Sequence, residues 1–338
     1  MVKQVHLNMK RYLFAALLLC HINYRVSAQQ SIRFTPTIYS REFSSQPAPV
    51  LRIQQGDTVH TTSIDAVGID RNGARVSPRG NPLTGPFFVE GAAPGDVLAV
   101  TLLNVSLNRN FATTLNTLIP KVLPKSIAKK TWRSGRLVKW QLDLVNKTGR
   151  PMDTGRHLKN LAIPLHPFLG CVGVAPAGPK GTGTGASGPY GGNIDFSHNT
   201  TGATIYLPVF HDGALLYLGD AHAAQGDGEL NGDALETSMD FSFTVRVVRK
   251  DSFPLQTPMV EDDNYLMFFG IESSLDKSLK VATESLRTWL QTRYGLTMAE
   301  VSQVIGPVVQ YRIPKIAATK VEVVALIPKK ILRQLEHR

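Results

Sequence analysis

Residues 204–229 read TIYLPVFHDGALLYLGDAHAAQGDGE, and the parsing of this stretch decides the fold. Ile205 to Phe210 is apolar and suits a strand. His211-Asp212-Gly213 follows, and an Asp-Gly pair between two apolar runs predicts a hairpin turn. The chain then returns through Ala214 to Leu218. Beyond that point the apolar character stops: Asp220, His222, Gln225, Asp227 and Glu229 arrive with Gly219, Gly226 and Gly228 among them. Residues two apart in an extended chain share a face, so Asp220 and His222 point the same way. A carboxylate and an imidazole together at the end of a buried strand can ligate a metal ion or handle a proton. The same residues also suit a structural role, with Gly-Asp-Gly-Glu a polar turn and Asp220 simply paired with His222.

Working outward, Met239, Phe241, Phe243, Val245 and Val247 alternate with Asp240, Ser242, Thr244 and Arg246. Five matches of period two predict a strand, with Glu236 just ahead of it. Upstream, Asn193-Ile194-Asp195 repeats the geometry of two polar side chains on one face. The glycine-rich run 178–192 suits a mobile cover over a pocket. It lacks the Lys-Ser or Lys-Thr of a phosphate-binding loop. His166 stands before Pro167, which holds it extended. Glu90 lies among apolar and small residues, where the neutral carboxyl is favoured and acid–base work is suited. Asp65 ends a Thr- and Val-rich strand after a Gly56-Asp57 turn. Each of these three has an ordinary structural reading as well: a structural histidine, a Glu that caps a turn or pairs with an Arg, an Asp that opens a loop.

Late in the chain, Leu275, Leu279, Ala282, Leu286 and Trp289 follow helical spacing. Gly295 supplies a stop, and Thr297-Met298-Ala299-Glu300 is a capping box for a second helix. Residues 106–162 read as an insertion or the loop side of a domain, with Leu137 to Leu144 alternating like a half-buried strand. Recurring turns, alternating strands and late helices predict a mainly β protein, a β-sandwich or jelly-roll-like core with a smaller α/β part. We divide it into 1–28, 29–250 as the β-rich core carrying the site motifs, and 251–338 as an α/β part packing on that core.

The chain has 338 residues with 43% hydrophobic and 19% charged residues, which places it among globular proteins. Residues 1–28 read as a signal peptide: Lys10-Arg11, an apolar run from Leu13 to Ile22, and Val26-Ser27-Ala28 as the cleavage site. Ten residues, nine of them apolar and the other His21, are too few to span a bilayer, which takes about twenty. The expectation is therefore export to the periplasm or beyond, without stable membrane insertion. The formal net charge of +11 falls to +7 without that segment. It reads as a solvated surface with at most weak attraction to an anionic envelope. No basic face interleaved with aromatics and no known module points to nucleic acid. Cys171 is the single cysteine after residue 28, so no intrachain disulfide forms there. Its apolar setting predicts an inert buried thiol.

GALLYLGDAHAAQGDGE resembles the signature of the acetamidase/formamidase family, metal-dependent hydrolases of small amides. GPFFVEGAAPGDVLAV at 85–100, HPFLGCVGVAP at 166–176 and GGNIDF at 191–196 occur in the matching order, so the resemblance covers residues 50–312. It implies a mainly β fold with the motif loops at one end. It also implies roles for Asp65 and His166, which stand where the family carries such residues. The family usually carries an Asp after the second late helix. Here Pro307 to Arg312 contains no acid, so the resemblance assigns no role to that region.

Amide hydrolysis needs a polarised carbonyl, an activated water and a proton for the leaving amine. A divalent ion, zinc or similar, with an open position serves the first two needs and brings water to a pKa of about 7. We take Asp65, Asp195, Asp220 and His222 as the ligand pool, and Glu90, His166 and Glu236 as catalytic groups that include the proton carrier. No Gly-x-Ser-x-Gly elbow is present, which argues against a serine hydrolase. The expected partner is a small amide, with a homo-oligomer left open. Two alternatives stand: a secreted β-domain that binds metal or ligand without turnover, and a lactamase or esterase on the same site.

Overall fold

The computed structural model describes residues 29–152, 155–250 and 255–335. The signal-peptide reading of residues 1–28 lies outside them. The strand Met239–Val248 turns Met239, Phe241, Phe243 and Val245 into the core, as its period of two predicts. It pairs antiparallel with Thr58–Thr62 on one side and Val97–Leu107 on the other. A nine-stranded sheet continues from there through Thr204–Pro208, Met259–Glu261, Tyr265–Glu272, Val321–Pro328 and Gln310–Arg312. Strands from both ends of the chain are therefore built into one sheet.

The second sheet has eleven strands with Leu216–His222 inside it. That strand is flanked by Phe168–Val174 on one side, and by Leu83–Val89 and Glu236–Thr237 on the other. All seven of its residues are buried, which is why it reads as apolar up to Asp220. Phe241, Phe243, Leu98 and Val100 of the first sheet share one core with Leu169, Val172, Leu216 and Leu218 of the second. Each such side chain is worth about 1.5–3 kcal/mol when fully buried. The result is a mainly β, two-sheet sandwich.

The Asp212-Gly213 turn does not make the predicted hairpin. Thr204–Pro208 lies in the first sheet and Leu216–His222 in the second, so the turn carries the chain across the sandwich. Gly213, Ala214 and Leu215 all have positive φ, at 73, 58 and 59°, and these left-handed residues redirect the strand. Gly213 is required by packing as well, because a Cβ there would lie 2.2 Å from the Phe88 ring. The glycine-rich run is likewise no open cover over its second half. Gly191–Asn193 pairs with Phe168–Val174, and Gly191 packs where a Cβ would meet the Val172 carbonyl at 2.4 Å.

Leu275–Tyr294 is helical from its Ser274 cap to the left-handed Gly295, and the Thr297–Glu300 capping box forms. The buried face is Ser278, Ala282, Leu286 and Leu290, so Leu275 and Leu279 are not on it. Ser278 is drawn in because its hydroxyl donates to the Val321 carbonyl, and because Gly270 lets the helix approach: a Cβ on Gly270 would lie 1.8 Å from the Ser278 oxygen. Within residues 106–162, Lys125–Arg133 is a helix. Leu137–Asp143 is a strand that, with Thr148–Pro151, prolongs the second sheet outward from Phe111–Leu115.

Candidate active site

Four of the seven residues singled out in the sequence converge. Asp220 and His222 end the buried strand Leu216–His222, and Glu236 pairs directly across from His222. Asp195 follows Gly191–Asn193, and its backbone N–H donates to the Gly170 carbonyl at 3.0 Å. His222 Nε2 is 3.3 Å from Glu236 Oε1, 3.5 Å from Asp220 Oδ1 and 3.9 Å from Asp195 Oδ1. All four side chains are buried. Phe168 packs edge-on against the imidazole with ring centroids 4.9 Å apart.

The hydrogen bonds around this cluster are lopsided. Asp195 Oδ2 accepts from Lys315 Nζ at 2.7 Å and from Asn193 Nδ2 at 2.8 Å. Asp220 Oδ2 accepts from Asn81 Nδ2 at 2.9 Å. Yet Asp195 Oδ1, Asp220 Oδ1 and His222 Nε2 have no hydrogen-bond partner. One ligand atom from each of Asp195, Asp220 and His222 lies within 4.8 Å of the others. Buried polar atoms are normally satisfied, and three left bare on one spot call for a cation. Carboxylate oxygens with an imidazole nitrogen are the donor set of zinc and similar divalent ions. Space is kept open too: a Cβ on Gly170 would lie 2.5 Å from Asp195 Oδ1 and 2.8 Å from His222 Cε1. The residues present fit such an ion.

Electrostatics agree. Burial pushes the carboxyls of Glu236 and Glu229 well above their usual range. Burial opposes a charged imidazole at His222, but Glu236 and Asp220 outweigh it and raise its pKa. Burial also works against the Lys315 ammonium, and Asp195 and Glu322 hold it charged. The backbone is strained at the same place, with Asp195, Asp220 and Glu229 at φ 36, 57 and 49°. Such conformations cost about 1–3 kcal/mol each and cluster at functional sites.

The other three expected residues stand elsewhere. Asp65 Oδ2 accepts from Arg109 at 2.7 Å in a buried pair, and its Oδ1 accepts from the backbone of Val67 and Ile69. Arg109 in turn touches the Glu236 carbonyl at 3.4 Å, so Asp65 braces the site from behind and has no ligand atom in the cluster. Glu90 lies in the turn after the strand Leu83–Val89, its side chain 44% exposed and paired with Arg52 at 2.7 Å. His166 Nε2 is 3.1 Å from the Ser197 carbonyl, at the exposed surface. At Glu90 and His166 the apolar neighbours occupy the inward positions and the polar residue is left facing out. Cys171 is buried, donates to Asn193 Oδ1 at 2.8 Å, and burial pushes its thiol well up, so it is no thiolate nucleophile.

Sequence reasoning missed Lys315, Glu322, Glu229 and Asn81. Arg312 pairs with Asp227 at 2.6 Å, and this tie brings Lys315 from just beyond the acid-free run into the centre. A signal existed for two of them. Lys315 is flanked by Ile313, Pro314 and Ile316, and Glu322 is the single charge in the apolar run VEVVALIP. Nothing local marks Asn81.

Residues 48–180 and 177–331 match the Acetamidase/Formamidase family. The chain belongs to that family. An acetamidase of Mycolicibacterium smegmatis is 54% identical over 41 residues, 12% of this chain and 10% of that protein. A formamidase of Methylophilus methylotrophus is 26% identical over 193 residues, 44% of this chain and 46% of that protein. These matches span less than half the length of either relative. Among solved structures, the family likeness extends over the whole fold. An acetamidase from Bacillus halodurans superposes with a TM-score of 0.75 at 27% identity, covering 90% of this chain and 100% of that one.

Proposed function

We propose that this protein hydrolyses the C–N bond of small linear amides such as formamide and acetamide, releasing ammonia. The observation that carries the reading is the convergence of Asp195 Oδ1, Asp220 Oδ1 and His222 Nε2, three buried ligand atoms without hydrogen-bond partners, in a chain of this family. These three residues would hold a divalent ion, zinc or similar. Bound there, such an ion supplies Lewis-acid polarisation of the substrate carbonyl and a lowered pKa for water.

The chain's own groups do the rest. Lys315 and Asn193 fix Asp195, and Asn81 fixes Asp220, so that each carboxylate presents Oδ1 to the centre. Glu236 Oε1 is held by the Ala234 N–H at 3.0 Å, while Oε2 has no partner. A carboxyl raised by burial, with a free oxygen beside the centre, can take a proton from water and deliver it to the leaving nitrogen. Glu236 is therefore our proton carrier, in place of the outward-facing Glu90 and His166. Tight apolar packing around the cluster, Phe168 above all, keeps bulk water out. Export, read from residues 1–28, is part of the proposal.

The test is metal content of the purified protein together with ammonia release from formamide and acetamide, before and after chelation. Bound metal with chelator-sensitive ammonia release supports the reading, and His222→Ala should lose both. Metal without ammonia would assign the site to another carbonyl substrate or to binding alone. Full activity after complete metal removal would overturn the ligand assignment.

A further inference from the structure

The positive charge of the chain is not spread evenly. Residues 106–162 hold twelve lysines and arginines against two acids, a net +10, while the rest of the chain after residue 28 sums to −3. The same 57 residues contain ten of the nineteen large apolar side chains that the described structure leaves exposed. The two features meet at the helix Lys125–Arg133. Ala128 turns inward, while Lys125, Lys129 and Lys130 stand in solvent and form no ion pair among the described residues. Ile127 and Trp132 are exposed beside them. An apolar groove of about 530 Å³ runs along this helix, lined by Leu115, Leu118, Leu123, Ile127, Trp140 and Leu158.

Charge and shape select an occupant. A second copy set face to face would bring two strongly cationic lobes together. A nucleic-acid strand would meet the charge but leave the mostly aliphatic groove bare. An anionic bilayer surface satisfies both, with phosphate headgroups at the lysines and the headgroup–acyl boundary at the apolar side chains. Lysine stems are long enough to reach outward from such a position. No helix among the described residues is long and apolar enough to cross a membrane.

We propose that the segment 106–162 docks this protein on anionic phospholipid membrane surfaces, with Lys125, Lys129 and Lys130 on the headgroups and Ile127, Leu118 and Trp132 at the acyl boundary. This is independent of the amidase reading. The test is sedimentation of the full chain with vesicles of phosphatidylcholine, alone or mixed with phosphatidylglycerol, at low and high salt. Binding should require phosphatidylglycerol and fall with salt. Replacing Lys125, Lys129 and Lys130 together by Gln should lower the partition coefficient about 100-fold. Ile127→Asp, at a side chain 48% exposed, should weaken it while leaving metal content and the unfolding transition unchanged. Equal binding to both vesicle types, or full binding by the triple variant, overturns the proposal. So does duplex DNA bound as tightly as vesicles and indifferent to Ile127→Asp, which assigns the face to nucleic acid. A dimer abolished by Ile127→Asp without vesicle binding assigns it to a second copy.

Discussion

Lys315 Nζ lies 2.7 Å from Asp195 Oδ2, while Oδ1 of the same carboxylate is without a partner and faces His222. One oxygen is neutralised from behind so that the other can serve the centre in front. Removing one member of a buried ion pair typically costs about 3–5 kcal/mol. Lys315→Met should therefore lose about that much stability in guanidinium unfolding and bind metal poorly. Adding Asp195→Asn should restore part of the stability and none of the metal. Unchanged stability in Lys315→Met would mean the pair is not formed.

Gly170 keeps the floor of the site clear. Gly170→Ala places a methyl group 2.5 Å from Asp195 Oδ1 and 2.8 Å from His222 Cε1. Metal stoichiometry should fall with the fold intact, as read by calorimetry and elemental analysis. Normal metal content in this variant would show that the three donors do not converge on a common ion.

Asp65, Glu90 and Glu236 separate by role. Asp65→Asn breaks the buried pair with Arg109 and should cost about 3–5 kcal/mol. It should leave metal stoichiometry intact at low temperature. Glu90→Gln breaks an exposed pair with Arg52 and should change neither stability nor turnover measurably. Glu236→Gln should keep the metal and lower kcat by about 10²–10⁴. A catalytic defect in Glu90→Gln larger than in Glu236→Gln would reverse the assignment of the proton carrier.

Glu322 gives the protein a pH signature. Burial raises its carboxyl from 4.5 to about 7, even against the pull of Lys315. A group that binds its proton more tightly folded than unfolded contributes stability fully below the unfolded value. That contribution shrinks as pH climbs from 4.5 and is gone above about 7. Glu322→Gln should flatten the stability profile across this window in unfolding titrations. An unaltered slope would place the titration elsewhere.

How much of this was legible beforehand depended on whether the information was local. The strand Met239–Val248, the helix Leu275–Tyr294 and its caps, and the pairing of Asp220 with His222 on one face follow from periodicity and chain geometry over a few residues. The Asp212-Gly213 turn was misread because a hairpin and a crossover share the same two residues. Which one forms depends on the partners that the flanking strands find, and those lie in different sheets. The bare motifs also could not tell Glu236, paired across from His222, from Glu90, which follows its strand outward to Arg52.

The sequence by itself determined the fold class, the family, and a pool of four candidate ligands, Asp65, Asp195, Asp220 and His222, because strand alternation and four ordered motifs survive without any tertiary contact. Only the tertiary structure decided which carboxylates meet. Burial and pairing act between residues far apart in the chain: Lys315 reaches Asp195 across 120 positions, and Arg109 reaches Asp65 across 44. Charge placement is of the same kind. A net charge is a sum over the chain, whereas a cationic, apolar face exists only once residues 106–162 have folded onto the edge of the sheet.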